Sequence, residues 1–112
     1  MTESDRWRIE FHPSALKEFN ALDPALQASF DRIVELVQSH GLHNLTARYA
    51  KPVKGKIWEF RMSGRGNIAR ALYIAAIGKR IVVLHAFQKK TEKTPSRLIE
   101  LAEKRAREVA TL

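Results

Sequence analysis

The sequence predicts a small α+β domain whose elements run in the order βααβββα. One segment with alternating apolar and polar residues is followed by two segments with helical spacing, and the chain ends on an amphipathic helix. Between them, three strand-like segments are joined by short turns, which predicts an antiparallel meander. We therefore expect an antiparallel sheet with a helical hairpin packed on one side. At 112 residues, residues 1–112 are expected to form one domain.

The first half of the chain supplies one strand and the helical hairpin. Residues 6–11 alternate between large apolar and charged side chains, as a half-buried strand does. Residues 14–19 then have the spacing of a short helix. Asp23 followed by Pro24 predicts the start of a second helix, since it places an N-cap before a proline in the first helical position. Gly41 is its predicted C-terminal stop.

The second half supplies a loop, the meander and the last helix. Residues 42–56 have no clear period and contain turn formers among basic residues, so we predict a basic loop. Strands are predicted at 57–63 and 68–77, and the apolar run 81–84 opens a third, buried strand. The final helix is predicted over 96–110.

Composition excludes several kinds of site and location. The chain has no cysteine, which excludes disulfides, zinc fingers and thiol nucleophiles. Its histidines show no metal-ligand spacing, so we expect no metal and no cofactor. The first residues are polar and acidic, unlike a secretory signal, and no apolar run approaches the roughly 18 residues that span a bilayer. We expect a cytoplasmic protein with no membrane partner.

The positive charge is confined to one half of the chain. Residues 1–50 hold five Lys and Arg against seven Asp and Glu, whereas residues 51–112 hold fifteen against five. The net charges are therefore −2 and +10. Such asymmetry in a small domain favours a polyanionic partner over a merely soluble surface.

The strongest cluster of charge lies directly after the last predicted strand. Lys89, Lys90 and Lys93 follow the buried strand within a few residues, and Thr94 and Pro95 then suit the N-cap and first turn of the last helix. Rigid strands that end in charged loops commonly carry functional sites.

The chain resembles a known family in this element order and in three segments. These are Trp58-Glu-Phe-Arg61, an arginine (Arg70) inside an apolar strand, and residues 84–95, Leu-His-Ala-Phe-Gln-Lys-Lys-Thr-Glu-Lys-Thr-Pro. They resemble the toxins of the RelE/ParE superfamily of toxin–antitoxin systems, in particular the HigB-like branch with its phage-derived Gp49-like group. The resemblance implies a RelE-like, microbial-RNase-like sheet with helices on one side. It also implies cleavage of messenger RNA in the ribosomal A site and neutralisation by a HigA-like antitoxin with a helix-turn-helix domain.

The resemblance also suggests positions for the site. Arg61 and Arg70 correspond to phosphate-contacting residues on the strands, and Lys89 and Lys90 lie where a cation on the catalytic face is usual. The remaining predicted RNA contacts are Lys51, Lys54, Lys56 and Lys93.

Two departures from the RelE pattern keep an alternative open. Glu59 stands where the RelE branch has lysine, and the tyrosine near the end of RelE-type chains is absent. The alternatives are a ParE-like toxin that inhibits DNA gyrase without cleaving RNA, and a plain basic module that binds nucleic acid.

The candidate residues have both a catalytic and a structural interpretation. Metal-free RNA cleavage needs a base for the ribose 2′-hydroxyl, an acid for the departing 5′-oxygen, and cations for the phosphate. Glu59 could be the base or an ion-pair partner of Arg70, and Arg70 could hold phosphate or only that carboxylate. His85 has a suitable intrinsic pKa but lies in an apolar strand, where a core role is commoner. We interpret Trp7 and Trp58 as core residues and not as base-stacking platforms.

Overall fold

A computed structural model describes residues 6–90 and 93–110, and confirms the α+β class. The strands are β1 (Arg8–Phe11), β2 (Ala50–Lys54), β3 (Ile57–Gly64), β4 (Asn67–Ala76) and β5 (Arg80–Lys89). The helices are α1 (Pro13–Asn20), α2 (Pro24–His40) and α3 (Ser96–Ala110), and a short 3₁₀ turn (Leu42–Asn44) follows α2. The predicted caps of α2 are confirmed, because the Asp23 side chain accepts from the Ala25 N–H and Gly41 ends the helix.

The sheet has five strands in the order β1-β5-β4-β3-β2 and is mixed, not wholly antiparallel. The predicted meander of β3, β4 and β5 is antiparallel, as is the β2–β3 pair, but β1 lies parallel to β5. Local sequence patterns carry no information about the direction of a partner some seventy residues away. The pair is reinforced by Arg80, which donates to both carboxylate oxygens of Glu10 at 2.9 and 2.7 Å and thereby lowers the pKa of Glu10.

Strand β2 lies within the segment that we predicted as a basic loop. It pairs with β3 from Ala50 opposite Phe60 to Lys54 opposite Ile57, with an irregularity after Pro52. A proline hides such a strand from pattern analysis, because it lacks the N–H that a central strand needs. At the edge of a sheet, where one side of the strand has no neighbour, proline is tolerated.

Two hydrophobic cores cover the two faces of the sheet. The helical hairpin packs on one face, where its buried side chains meet Phe60, Met62 and Tyr73. Helix α3 packs on the other face, with Ala102 against Leu72. The helices are therefore divided between both faces, whereas the resemblance implied helices on one side only.

Candidate active site

A cleft of about 230 Å³ opens on the α3 face of the sheet, beside the N-terminal end of that helix. It is lined by Lys51, Pro52, Val53, Glu59, Lys89, Lys93, Thr94 and Ile99. These residues come from β2, β3, β5 and the segment leading into α3. We call it the Glu59 cleft. It combines one carboxylate with three lysines, so its charge suits an anionic ligand.

Glu59 is at the centre of an ion-pair network in this cleft. Glu59 is only 7% exposed. Its Oε2 lies 3.3 Å from the Nε of Arg70 and 3.9 Å from the Nε of Arg61. Its other oxygen, Oε1, accepts a hydrogen bond of 3.2 Å from the Thr94 hydroxyl. A buried carboxylate needs such partners to offset the loss of water.

The strand register explains why these groups meet. Arg61 lies directly opposite Arg70 across the β3–β4 pair. Glu59 lies two residues before Arg61, so all three side chains are on the same face of the sheet. The carboxylate relieves the repulsion between two arginines placed opposite each other. Together the three groups keep one net positive charge.

Arg70 is the most deeply buried of the predicted catalytic residues, with 5% of its surface exposed. Besides Glu59, its guanidinium donates to the carbonyl of Ala69 at 2.9 Å. Arg61 is more exposed and donates to the carbonyl of Ala47 at 3.2 Å. The ion pair offered above as the structural alternative is therefore present, and a catalytic role for Arg70 stays a prediction.

The predicted lysines separate into two groups. Lys51, Lys89 and Lys93 line the Glu59 cleft. Lys89 is buried at the end of β5, and the exposed Lys90 lies in an adjoining depression of about 180 Å³. Lys54 and Lys56 do not line the cleft. Lys54 pairs with Glu103 of α3 at 3.5 Å, and Lys56 lies in a different cleft, on the other face of the sheet.

His85 belongs to a network outside the Glu59 cleft. Its Nδ1 lies 2.8 Å from the Oε1 of Glu18 and 3.4 Å from an amino group of Arg105, and its ring stacks on Phe87. Burial alone would raise the pKa of Glu18, but hydrogen bonds from Arg105 and His85 outweigh it and lower that pKa. The imidazole is thus held between α1 and α3.

The same network completes the edge of β5. Strand β1 pairs with β5 as far as Val83. Beyond that point, Arg105 donates to the Leu84 carbonyl at 3.0 Å, and the Ala86 N–H donates to Glu18 at 3.3 Å. Two side chains therefore replace a strand partner, which buried backbone groups require.

Sequence reasoning missed Thr94 as a member of the site and Glu18 and Arg105 as partners of His85. We predicted Thr94 only as the cap of the last helix, whereas its hydroxyl donates to Glu59. A hydroxyl residue next to a proline in a basic segment was the available signal. Nothing in the local sequence indicated Glu18, which lies 67 positions before His85.

Neither a metal cluster nor a membrane-spanning helix is found in residues 6–90 and 93–110. No three His, Asp or Glu side chains in these ranges gather closely enough to hold a metal ion. No helix there is long and apolar enough to cross a membrane.

Comparison with known proteins identifies the family of the chain. Residues 17–107 match the model of the family described as phage derived protein Gp49-like (DUF891). The chain belongs to this family. It is also 33% identical over 97 residues to proteins from two strains of Mycobacterium tuberculosis, CDC 1551 / Oshkosh and H37Rv, each described as probable endoribonuclease HigB1. The matched region covers 87% of this chain and 74% of each relative. The predicted membership of the HigB-like branch of the RelE/ParE superfamily is confirmed.

Proposed function

We propose that this Gp49-like protein is the toxin of a toxin–antitoxin pair and cleaves messenger RNA in the A site of the ribosome. The observation that carries the proposal is the Glu59 cleft, where a buried carboxylate is joined to two guanidiniums beside three lysines. The probable endoribonuclease relatives support RNA cleavage as the chemistry. By family, the partner is a HigA-like antitoxin with a helix-turn-helix domain, and the place of action is the cytoplasm.

The proposed reaction uses the RNA's own 2′-hydroxyl and needs no metal. Glu59 accepts the proton of that hydroxyl, and the oxygen attacks the adjacent phosphorus. The bond to the 5′-oxygen breaks, which leaves a 2′,3′-cyclic phosphate on one fragment and a 5′-hydroxyl on the other. The leaving oxygen takes a proton from the ammonium group of one of the three lysines that line the cleft. We assign this role to Lys89, the last residue of β5.

The ion pair couples the action of Arg70 to the protonation of Glu59. While Glu59 is ionised, the guanidinium of Arg70 is attracted to Oε2 at 3.3 Å. Once Glu59 has accepted the proton, that attraction is lost. At the same moment negative charge grows on the phosphate oxygens, and a guanidinium can bind two of them. The cation would therefore stabilise the transition state more than the ground state.

The test is to map cuts in a translated message with and without ribosomes, using wild type, Glu59→Gln and Lys54→Ala. Glu59→Gln keeps the shape of the side chain but removes the base, so cleavage should fall by about 10²–10⁴-fold. Lys54→Ala is the matched control. It removes a cation from the same edge of the sheet, but this lysine pairs with Glu103 outside the cleft. It should cut like wild type.

Two results would contradict the proposal. Glu59→Gln cutting at the wild-type rate would remove Glu59 as the base. Intact messages together with inhibited gyrase supercoiling would assign the chain to the ParE-like alternative.

A further inference from the structure

We predicted Trp58 to be a core residue, and this prediction is wrong. Trp58 is 40% exposed, whereas Phe60 and Met62 on the same face of β3 are fully buried. The hairpin helices cover those two residues. Helix α2 ends at His40, and a short 3₁₀ turn, Leu42–Asn44, follows it after Gly41. An aromatic ring is thus left uncovered at the end of the sheet.

The exposed indole of Trp58 forms part of a second cleft. This Trp58 cleft has a volume of about 420 Å³, within the range of small-molecule sites. Its sides come from the segment after α2, from the β2–β3 turn and from β4, and its principal lining residues are Leu42, His43, Leu45, Lys56, Trp58 and Tyr73. Trp58 and Tyr73 are direct cross-strand partners.

The charges around the cleft favour an anionic ligand with a flat apolar part. None of the residues that line it in the described chain is acidic, and Lys56 and His43 are exposed there. Burial raises the pKa of Tyr73, so this phenol adds no negative charge. An apolar aromatic surface beside a cation is the combination that binds single-stranded nucleic acid, because a base stacks on the ring and the cation contacts a phosphate.

The Trp58 cleft and the Glu59 cleft lie on opposite faces of the sheet, and both are lined by residues of the β2–β3 hairpin. Trp58 and Glu59 are neighbours in β3, so their side chains point to opposite faces. The hairpin of β2 and β3 lies between the two clefts, and it contributes Lys51 to the Glu59 cleft and Lys56 to the Trp58 cleft. A single strand that follows these lysines would pass from one cleft to the other.

We propose that the Trp58 cleft is a nucleobase-binding subsite for single-stranded RNA. One base stacks on the indole of Trp58, and Lys56 binds a neighbouring phosphate. The inference rests on the proposed function only in taking RNA as the ligand. It extends that function by adding a contact on the opposite face of the sheet, one that positions the strand without taking part in the chemistry.

The experiment measures binding of a 2′-O-methyl hexa-adenylate, which lacks the attacking hydroxyl and cannot be cut. Loss of one stacked base typically weakens binding by about 5- to 150-fold. Trp58→Leu should show that loss, Trp58→Phe should recover part of it, and an abasic version of the oligonucleotide should bind wild type as weakly as the base-bearing one binds Trp58→Leu. Ile77→Ala, which truncates a 96% exposed apolar residue outside the cleft, should bind like wild type.

A spectroscopic readout places the base on Trp58 directly. The chain has two tryptophans, so in a Trp7→Phe background the indole emission comes from Trp58 alone. Adding the base-bearing oligonucleotide should quench it, and adding the abasic one should not. Thermal unfolding of every variant checks that the fold is kept.

The inference is overturned if Trp58→Leu binds the oligonucleotide like wild type, if the abasic oligonucleotide binds equally well, or if neither binds wild type. Loss of antitoxin binding in Trp58→Leu with unchanged RNA affinity would also overturn it, since the occupant would then be a protein. These outcomes are separable from the proposed function. Cleavage of messages with no role for Trp58 removes only the subsite, and quenching of Trp58 without message cleavage removes only the nuclease.

Discussion

Removing Arg70 should lower both stability and activity, and the structure allows the two effects to be separated. Arg70→Met keeps an unbranched apolar stem but deletes the guanidinium that lies 3.3 Å from Glu59. Breaking a buried ion pair from one side costs about 3–5 kcal/mol, because the remaining charge stays buried. Here Glu59 keeps Thr94 at 3.2 Å and Arg61 at 3.9 Å as partners. We therefore expect a smaller loss in the free energy of unfolding, about 2–3 kcal/mol.

A double variant isolates the ion pair. In Arg70→Met with Glu59→Leu both charges are gone, and replacing both partners of a buried pair by apolar residues is often neutral or stabilising. The double variant should therefore recover most of the unfolding free energy lost in Arg70→Met. Chemical denaturation measures this directly. For a domain of this size each kcal/mol corresponds to about 4–8 °C in the unfolding midpoint.

Single-turnover cleavage per folded molecule then tests catalysis. Loss of one cation that stabilises the transition state typically costs about 10²–10³-fold in rate, and the double variant should not recover it. If Arg70→Met were to unfold early yet cut at the wild-type rate per folded molecule, Arg70 would be a structural residue and the proposed role in catalysis would be wrong. If it melted with wild type, the ion pair would contribute nothing to stability.

Three further predictions concern acid stability, packing and salt dependence. Glu18→Gln should lower the free energy of unfolding by about 1–2 kcal/mol at pH 7. The pKa of Glu18 is lowered in the folded state, so its stabilising contribution is complete above its unfolded pKa of about 4.3 and is lost as pH falls through the folded pKa. Denaturation curves of wild type and variant should therefore converge in acid. Gly64→Ala should destabilise the fold by about 1–3 kcal/mol, because a Cβ at Gly64 would lie 2.9 Å from the Cβ of Ala25; an unchanged unfolding midpoint would contradict this close approach. Reversing Lys51 and Lys93 to Glu should weaken RNA binding and reduce the slope of log K against log salt by about 1.4, or about 0.7 for each lost phosphate contact; an unchanged slope in a salt titration would place RNA elsewhere.

Most of the fold could be predicted because its signals are local. The N-cap at Asp23, the stop at Gly41 and the turn between β3 and β4 each act within a few residues, and the structure has each of them. In that turn, Arg65 and Gly66 both adopt positive φ, as a tight hairpin requires. What could not be predicted depends on distant partners. The parallel direction of β1 is one such feature, and β2 is another, since it exists only by pairing with β3.

The candidate site divides in the same way. The alternation of Glu59 and Arg61, with Arg70 on the next strand, was enough to raise an ion pair between Glu59 and Arg70 as one of two alternatives, and the structure contains that pair. Which lysines join them was not predictable, because Lys51 and Lys54 differ only in where the edge strand directs them. Lys51 lies opposite Glu59, whereas Lys54 follows the irregularity after Pro52 and pairs with α3.

The exposure of Trp58 follows from the same sheet that builds the Glu59 cleft. A strand covered on both faces normally has apolar residues throughout, and the middle of β3 departs from this only at Glu59 and Arg61, toward the cleft beside α3. On the opposite face, Trp58 is partly exposed, and the segment that follows α2 lines the cleft beside it. Each face of β3 is thus left partly uncovered by the helix that packs on it, and the basic edge of β2 and the β2–β3 turn joins the two openings. Because both openings lie at the same β2–β3 hairpin, with Lys51 in one and Lys56 in the other, we propose them as parts of one RNA-binding surface.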